Sequence, residues 1–315
     1  MSTKENLDKN FISAVVYMNT AGSAEKLREF LEGILKSFEE NWQKFEVILV
    51  DDDTDESYIK VARECKEKHE SASVTILHMS TYQGMEMSMN AGRDLAIGDF
   101  VFEFDECSYN FPEDQIKLVY DECLKDYDIV SCSDDRKNSV SSNGFYGIFN
   151  RFSDIEYKLE SDNFRILSRR GINRIQSLNR AIPYRKAMYA NCGLKLKNIS
   201  YKPTAESDYS HDKREKKTRR MLAFDSLLLF TGVGFKLTLT LSLIMAAVMI
   251  FSAIYAIVMY VSGIAIEGWT TTMLFLSFAF FGLFVILTVV IKYLSLILNL
   301  NFKKQRYMFE SVEKL

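Results

Sequence analysis

Three clusters of polar residues each follow a short apolar run. Asn19 follows Phe11–Tyr17, Asp51–Asp55 closes Glu46–Asp51, and Asp105-Glu106-Cys107 follows Phe100–Phe104. Carboxylates in such places can coordinate a divalent cation or hydrogen-bond a ribose and base. They also build turns and helix caps, because Asp and Asn side chains bond nearby backbone amides. For Asp51–Asp55, residue type alone leaves both uses open. Zinc chemistry is not expected: the five cysteines are scattered without CxxC spacing, and the three histidines form no HExxH pair. Reduced thiols are the simplest reading of the cysteines.

The elements that must position these clusters follow from periodicity. Phe11–Tyr17 (FISAVVY), Glu46–Asp51 (EVILVD), Val74–His78, Phe100–Phe104 and Ile129–Ser133 read as short buried strands. Between them, Ala24–Phe38, Tyr58–Lys66, Gly84–Ala96 and Pro112–Lys125 carry helical spacing; in the first, Leu27, Phe30, Leu31, Ile34 and Leu35 share a face. Met85, Met87 and Met89 are expected to pack in the core. Alternating strands and helices, with crossovers long enough for parallel pairing, predict a doubly wound α/β sheet of nucleotide-binding type. Ligands of such sheets bind beyond the carboxyl ends of the strands, where all three clusters stand.

The end of the chain differs in kind. Leu237–Val261 and Met273–Ile291 contain no charged residue. At about 1.5 Å per residue, each is long enough to cross a bilayer core of roughly 30 Å. Lys292 closes the second run and can snorkel to the interface. The link Ser262–Thr271 lacks Lys and Arg, whereas Lys213, Arg214, Lys216, Lys217, Arg219, Arg220 and Lys236 precede the hairpin and Lys303, Lys304 and Arg306 follow it. The positive-inside rule then places both ends in the cytosol. The N-terminus is polar, without a signal-peptide core. A net charge of −3 over 315 residues offers no global basic field for nucleic acid. The expected organisation is a cytosolic α/β domain over 1–210, a basic amphipathic juxtamembrane segment over 211–235, a transmembrane hairpin over 236–300 (spans 237–261 and 273–293), and a cytosolic tail over 301–315.

Residues 82–114 (YQGMEMSMNAGRDLAIGDFVFEFDECSYNFPED) match a known pattern. They resemble the N-x-G-x-x-x-A-x-x-x-G-x-x-x-A-x-G-D segment of the family 2 glycosyltransferases, which continues through a strand to Asp-x-Asp and Pro-Glu. Gly84, Gly92, Ala96, Gly98, Asp99, Asp105, Pro112 and Glu113 fall at the family's spacings. Residues 145–175, with DNFRILSR, are similar to a second family segment, and the two apolar runs to its membrane-anchored members. Within the family the chain looks most like polyprenyl-phosphate glycosyltransferases, the group of dolichol-phosphate mannose synthases and GtrB-type enzymes. That resemblance implies a GT-A fold, a nucleotide-sugar donor, a polyprenyl-phosphate acceptor at a membrane, and a divalent metal, Mg²⁺ or Mn²⁺. It carries donor binding onto Asn19, Asp51, Asp52, Gly84 and Asp105, with Asp105 also the metal ligand. Asp105 and Glu106 would act at the reacting centre, and Arg136 and Arg165 would hold the acceptor phosphate. For Arg165 a structural ion pair is an equal alternative.

The departures fall on the chemistry. The second carboxylate of Asp-x-Asp is Cys107, a soft and mostly protonated group where Mg²⁺ and Mn²⁺ prefer oxygen. Glu106 is the candidate substitute. Glu103 and Asp105 share one strand face, but the spacing to Asp99 and Pro112 assigns the family position to Asp105. Two functions follow from the resemblance. One is a membrane glycosyltransferase with an altered donor site. The other is a non-catalytic relative that serves as membrane partner or regulator of another glycosyltransferase. Self-association is also compatible with the resemblance.

Overall fold

The computed structural model describes residues 7–135, 140–152, 157–177, 184–204, 268–302 and 307–315, together with scattered positions between 214 and 255. The chain divides into two compact units. One comprises Met1–Asn150, Ile155–Ala223 and Lys303–Leu315, the other Arg151–Asp154 and Phe224–Phe302.

The first unit is built on one sheet. Its strands are β1 (Ile12–Tyr17), β2 (Phe45–Asp51), β3 (Ser73–Met79), β4 (Phe100–Phe104), β5 (Ile129–Asp134), β6 (Phe164–Ser168), β7 (Leu196–Tyr201) and β8 (Phe309–Lys314). Their spatial order is β7-β5-β6-β4-β1-β2-β3-β8. β1 is buried at every residue. It lies between β2 and β4, parallel to both, so neither of its faces meets water and its sequence need not alternate. Ala14 and Val16 join one core with Phe30, Ile34, Phe102 and Phe104, while Val15 and Tyr17 join another with Ile48, Val50, Met89 and Val101.

Helices α1 (Ala24–Asn41), α2 (Glu56–Lys68), α3 (Met85–Leu95) and α4 (Gln115–Cys123) supply the crossovers. They are followed by α5 (Val140–Phe152), α6 (Arg169–Ser177) and the short α7 (Arg185–Ala190). Ser23 caps α1 by accepting from the Lys26 amide at 3.3 Å, and Asp55 caps α2 by accepting from the Ser57 amide at 2.8 Å. α1 buries the five residues its periodicity predicts. Met85 and Met89 are buried as expected, whereas Met87 is only partly so.

The sheet differs from a simple doubly wound order in two places. β5 does not adjoin β4. β6 lies between them, antiparallel to both. Its sequence FRILS is a brief apolar run interrupted by an arginine at its second position, too short for periodicity to declare. The insertion sets Arg165 directly opposite Glu103. The other difference is at the chain's end. The expected tail contributes β8, which pairs antiparallel with the edge strand β3 from Thr75↔Lys314 to Met79↔Phe309. FESVEK carries no apolar run because an outer edge strand is largely solvated.

The motif glycines have a packing role. Gly98 donates its amide to Ser13 Oγ at 2.8 Å, and a Cβ built on it would lie 2.6 Å from the Ser13 backbone nitrogen and 2.8 Å from the Phe11 carbonyl oxygen. Asp99 then accepts from the Phe11 amide through Oδ2 at 2.8 Å, tying the entrance of β4 to that of β1. On Gly92 a Cβ would lie 2.4 Å from Val15 Cγ1. Gly98→Ala is therefore expected to destabilise by about 2–3 kcal/mol, because backbone atoms cannot swing aside. Gly144→Ala has nothing within 4 Å to meet and is the control, expected to be neutral or slightly stabilising. Thermal unfolding of the two variants beside the parent checks this; equal midpoints would refute it.

In the second unit, α8 (Trp269–Phe302) runs for 34 residues. Lys292 pairs with Asp225 at 2.7 Å. Among the described residues no helix is long and apolar enough to cross a membrane. The transmembrane hairpin is thus not borne out there. Its first arm, Leu237–Val261, lies largely outside the described residues, as do most of the basic positions before it.

Candidate functional site

The carboxyl ends of β1, β2 and β4 converge, and the expected donor residues lie there. Asn19 and Asp52 are locked to each other: Asn19 Nδ2 donates to the Asp52 carbonyl at 2.7 Å, and the Asp52 amide donates to Asn19 Oδ1 at 3.2 Å. The Asp52 side chain is fully buried. It accepts from Tyr17 Oη at 2.9 Å, from the Gln83 amide at 2.7 Å and from the Gly84 amide at 2.8 Å. Burial raises its carboxyl above the usual range, and these donors act in the opposite sense. Gly84 leads into α3 with φ +83°, a left-handed conformation that glycine takes without a Cβ penalty. Asp52 therefore fastens the carboxyl ends of β1 and β2 to the entrance of α3.

Asp51 is half-buried and committed elsewhere. Its Oδ1 accepts from the Thr54 amide at 2.9 Å and from the Thr54 hydroxyl at 2.6 Å. Its Oδ2 meets His78 Nδ1 at 2.7 Å, and His78 Nε2 meets Glu313 of β8 at 3.3 Å. The neighbouring Asp53, with φ +67°, pairs with Arg214 at 3.1 Å. The Arg214 guanidinium lies 4.1 Å from the centroid of the Tyr82 ring.

At the end of β4 the arrangement is unlike the expected metal site. Asp105 Oδ2 accepts from Arg165 Nη2 at 2.6 Å, and Oδ1 accepts from Arg185 Nη2 at 2.7 Å. Arg165 is 1% exposed and directs the rest of its guanidinium to Asp162 (2.8 and 3.1 Å) and Glu103 (2.8 Å). Arg185 also meets Glu86 at 3.0 Å and Glu103 at 2.9 Å. Tyr189 donates to Glu103 at 2.8 Å, and Arg93 donates to the Tyr189 hydroxyl at 2.8 Å. Lys186 pairs with Asp162. Among the described residues, five carboxylates, Glu86, Asp94, Glu103, Asp105 and Asp162, thus face four cations, Arg93, Arg165, Arg185 and Lys186. Burial alone would raise the Asp105 carboxyl, but the Arg165 and Arg185 charges outweigh it and hold the group well below the usual carboxylate range.

Cys107 is turned away from this cluster. Its thiol donates to the Tyr17 carbonyl at 3.3 Å, its amide donates to Thr20 Oγ1 at 3.2 Å, and burial pushes the thiol up to about 12. Glu106 is half-buried and accepts from Asn163 Nδ2 at 3.5 Å. The residues present do not fit a divalent cation of the Asp-x-Asp kind. Both Asp105 oxygens already serve guanidinium groups, and the second ligand position is a protonated thiol. Among the described residues no three His, Cys, Asp or Glu side chains are grouped to hold a metal. Arg165 takes the ion-pair position rather than an exposed one, and Arg136 lies outside the described residues. A cavity of about 240 Å³ beside Arg165 is lined by Ser131, Lys158, Leu159, Lys186 and Asn198 among others.

Sequence reasoning missed Arg185, Glu86, Asp162, Tyr189 and Lys186 and set Glu103 aside. One signal was present. A glutamate inside FVFEF and an arginine inside FRILS are charges in otherwise apolar strands, and such charges need each other when buried.

The sheet order and the polar strand ends on one edge define a nucleotide-binding α/β protein of GT-A type. Residues 14–183 match the model for Glycosyl transferase family 2, and the chain belongs to that family. Among curated relatives it is similar to the uncharacterized glycosyltransferase sll0501 of Synechocystis, 24% identical over 155 residues, covering 47% of this chain and 48% of the relative. It is also similar to the undecaprenyl-phosphate 4-deoxy-4-formamido-L-arabinose transferase of Proteus mirabilis, 31% identical over 130 residues, covering 41% of this chain and 38% of that protein. The matches thus span about half or less of these relatives' lengths. Among solved structures, the mannosyltransferase PcManGT of Pyrobaculum calidifontis, in complex with GDP-Man and Mn²⁺, aligns over 89% of this chain and 88% of its own at 13% identity and a TM-score of 0.47.

Proposed function

We propose that this glycosyltransferase moves a sugar from a nucleotide-sugar donor to a polyprenyl-phosphate lipid at the cytosolic face of a membrane. The observation that carries the reading is the family 2 match over the sheet, in a chain whose other unit leaves large apolar side chains exposed. On α8, Phe281, Phe284 and Ile291 are 66%, 64% and 65% exposed. Exposed apolar surface of that extent calls for cover, and a lipid phase supplies it. The similarity to an undecaprenyl-phosphate sugar transferase points the same way. The basic residues flanking the apolar runs favour the cytosolic leaflet.

The chemistry asks little of a general base. A phosphate monoester is already anionic at neutral pH, so its oxygen can attack the anomeric carbon without first losing a proton. The protein must hold that oxygen in line and stabilise the departing nucleoside diphosphate. The comparisons do not favour the non-catalytic alternative.

The test is transfer of labelled sugar from a panel of nucleotide sugars to undecaprenyl phosphate by the detergent-solubilised full chain. Label is expected in the organic-phase lipid with at least one donor. Absence of label with every donor, with and without divalent metal, would sink the reading.

A further inference from the structure

We propose that Asp105 is not a metal ligand in this chain: the guanidinium groups of Arg165 and Arg185 occupy the cation position that its family motif implies, and the centre works without a divalent ion there. The inference goes beyond the lipid-acceptor reading and can be tested without it.

Three observations carry it. The contacts of 2.6 and 2.7 Å to Arg165 and Arg185 use one Asp105 oxygen each. Arg165 and Arg185 are each 1% exposed, so a metal on Asp105 would take one carboxylate partner from each of two buried guanidinium groups. Removing one partner from such a buried pair is strongly unfavourable. The third observation is that each of the buried carboxylates Glu86, Glu103, Asp105 and Asp162 already has a cationic partner. Cys107 offers no further ligand, because its thiol faces the Tyr17 carbonyl.

The arrangement also changes the role of Glu103. In the β4–β6 register it lies opposite Arg165, and it meets both arginines. The two carboxylates on that strand face, Glu103 and Asp105, form a seat for guanidinium groups. A donor diphosphate must then be met by groups other than a metal on Asp105.

Mn²⁺ itself is the probe. The detergent-purified full chain is titrated with Mn²⁺, and the free-ion electron paramagnetic resonance signal is followed. The expected result is no loss of free signal attributable to Asp105: either none is lost at one equivalent, or a loss persists unchanged in Asp105→Asn. Loss of one equivalent in the parent that Asp105→Asn abolishes, while that variant still unfolds cooperatively, overturns the proposal. If Asp105→Asn is not recovered folded, the parent titration decides alone, and one equivalent bound counts against it. Failure of lipid transfer with every donor would refute the proposed function and leave this measurement readable.

Discussion

Arg165→Met is expected to lower the unfolding free energy by about 3–5 kcal/mol, the range found when one partner is removed from a buried ion pair. The guanidinium touches Glu103, Asp105 and Asp162 together. Methionine fills much of its volume but donates nothing. Three carboxylates would then share Arg185 and Lys186, both of which already have partners. Arg165→Lys keeps the charge but offers three donors from one point instead of five from a planar fork, so an intermediate loss is expected. Denaturant unfolding of the solubilised full chain checks the order parent, lysine, methionine. A loss below about 1 kcal/mol for methionine would place the arginine among surface ion pairs and refute the network as drawn.

The second large effect is expected at Asp52. Its carboxylate accepts from a tyrosine hydroxyl and two backbone amides. Asp52→Ala leaves those donors without their acceptor in a buried place, which costs roughly 1–3 kcal/mol for each group left unsatisfied. Some relaxation at the Gln83–Gly84 turn will offset this, so a net loss of about 2–4 kcal/mol is expected. Amide exchange at Gly84 should quicken with it. Tyr17→Phe removes only one of the three donors and should cost about 1 kcal/mol. If Asp52→Ala cost no more than Tyr17→Phe, the two amide contacts would carry no weight. Both tests bear on the proposed function, because Asp52 positions the Gln83–Gly84 turn, where the family resemblance leads one to expect donor binding.

Much of the first unit was legible in the sequence. Five strands and four helices could be read from apolar runs and helical spacing, since burial on both faces writes an unbroken apolar strand. The family segment was legible because Gly92 and Gly98 stand where no side chain fits. β6 and β8 were not. β6 is five residues with a charge at its second position, and β8 is a solvated edge whose residues carry no period. Both need a partner strand before they are strands at all, and the partner is far off in the chain.

Of the site, the sequence by itself determined the residue types and their address. Asn19, Asp51, Asp52 and Asp105 had to stand at strand ends, and Cys107 had to break the Asp-x-Asp pattern. Only the tertiary structure decided what those groups do. It turned Asp52 inward to hold two backbone amides and gave Asp51 to His78. It also brought Arg165 and Arg185 onto Asp105, the latter from 80 residues away. The reason is physical. Local sequence sets which backbone shape is cheapest, but a carboxylate's partner is set by whichever cation the fold buries beside it. That choice depends on strand order, and here on the antiparallel insertion of β6 between β4 and β5.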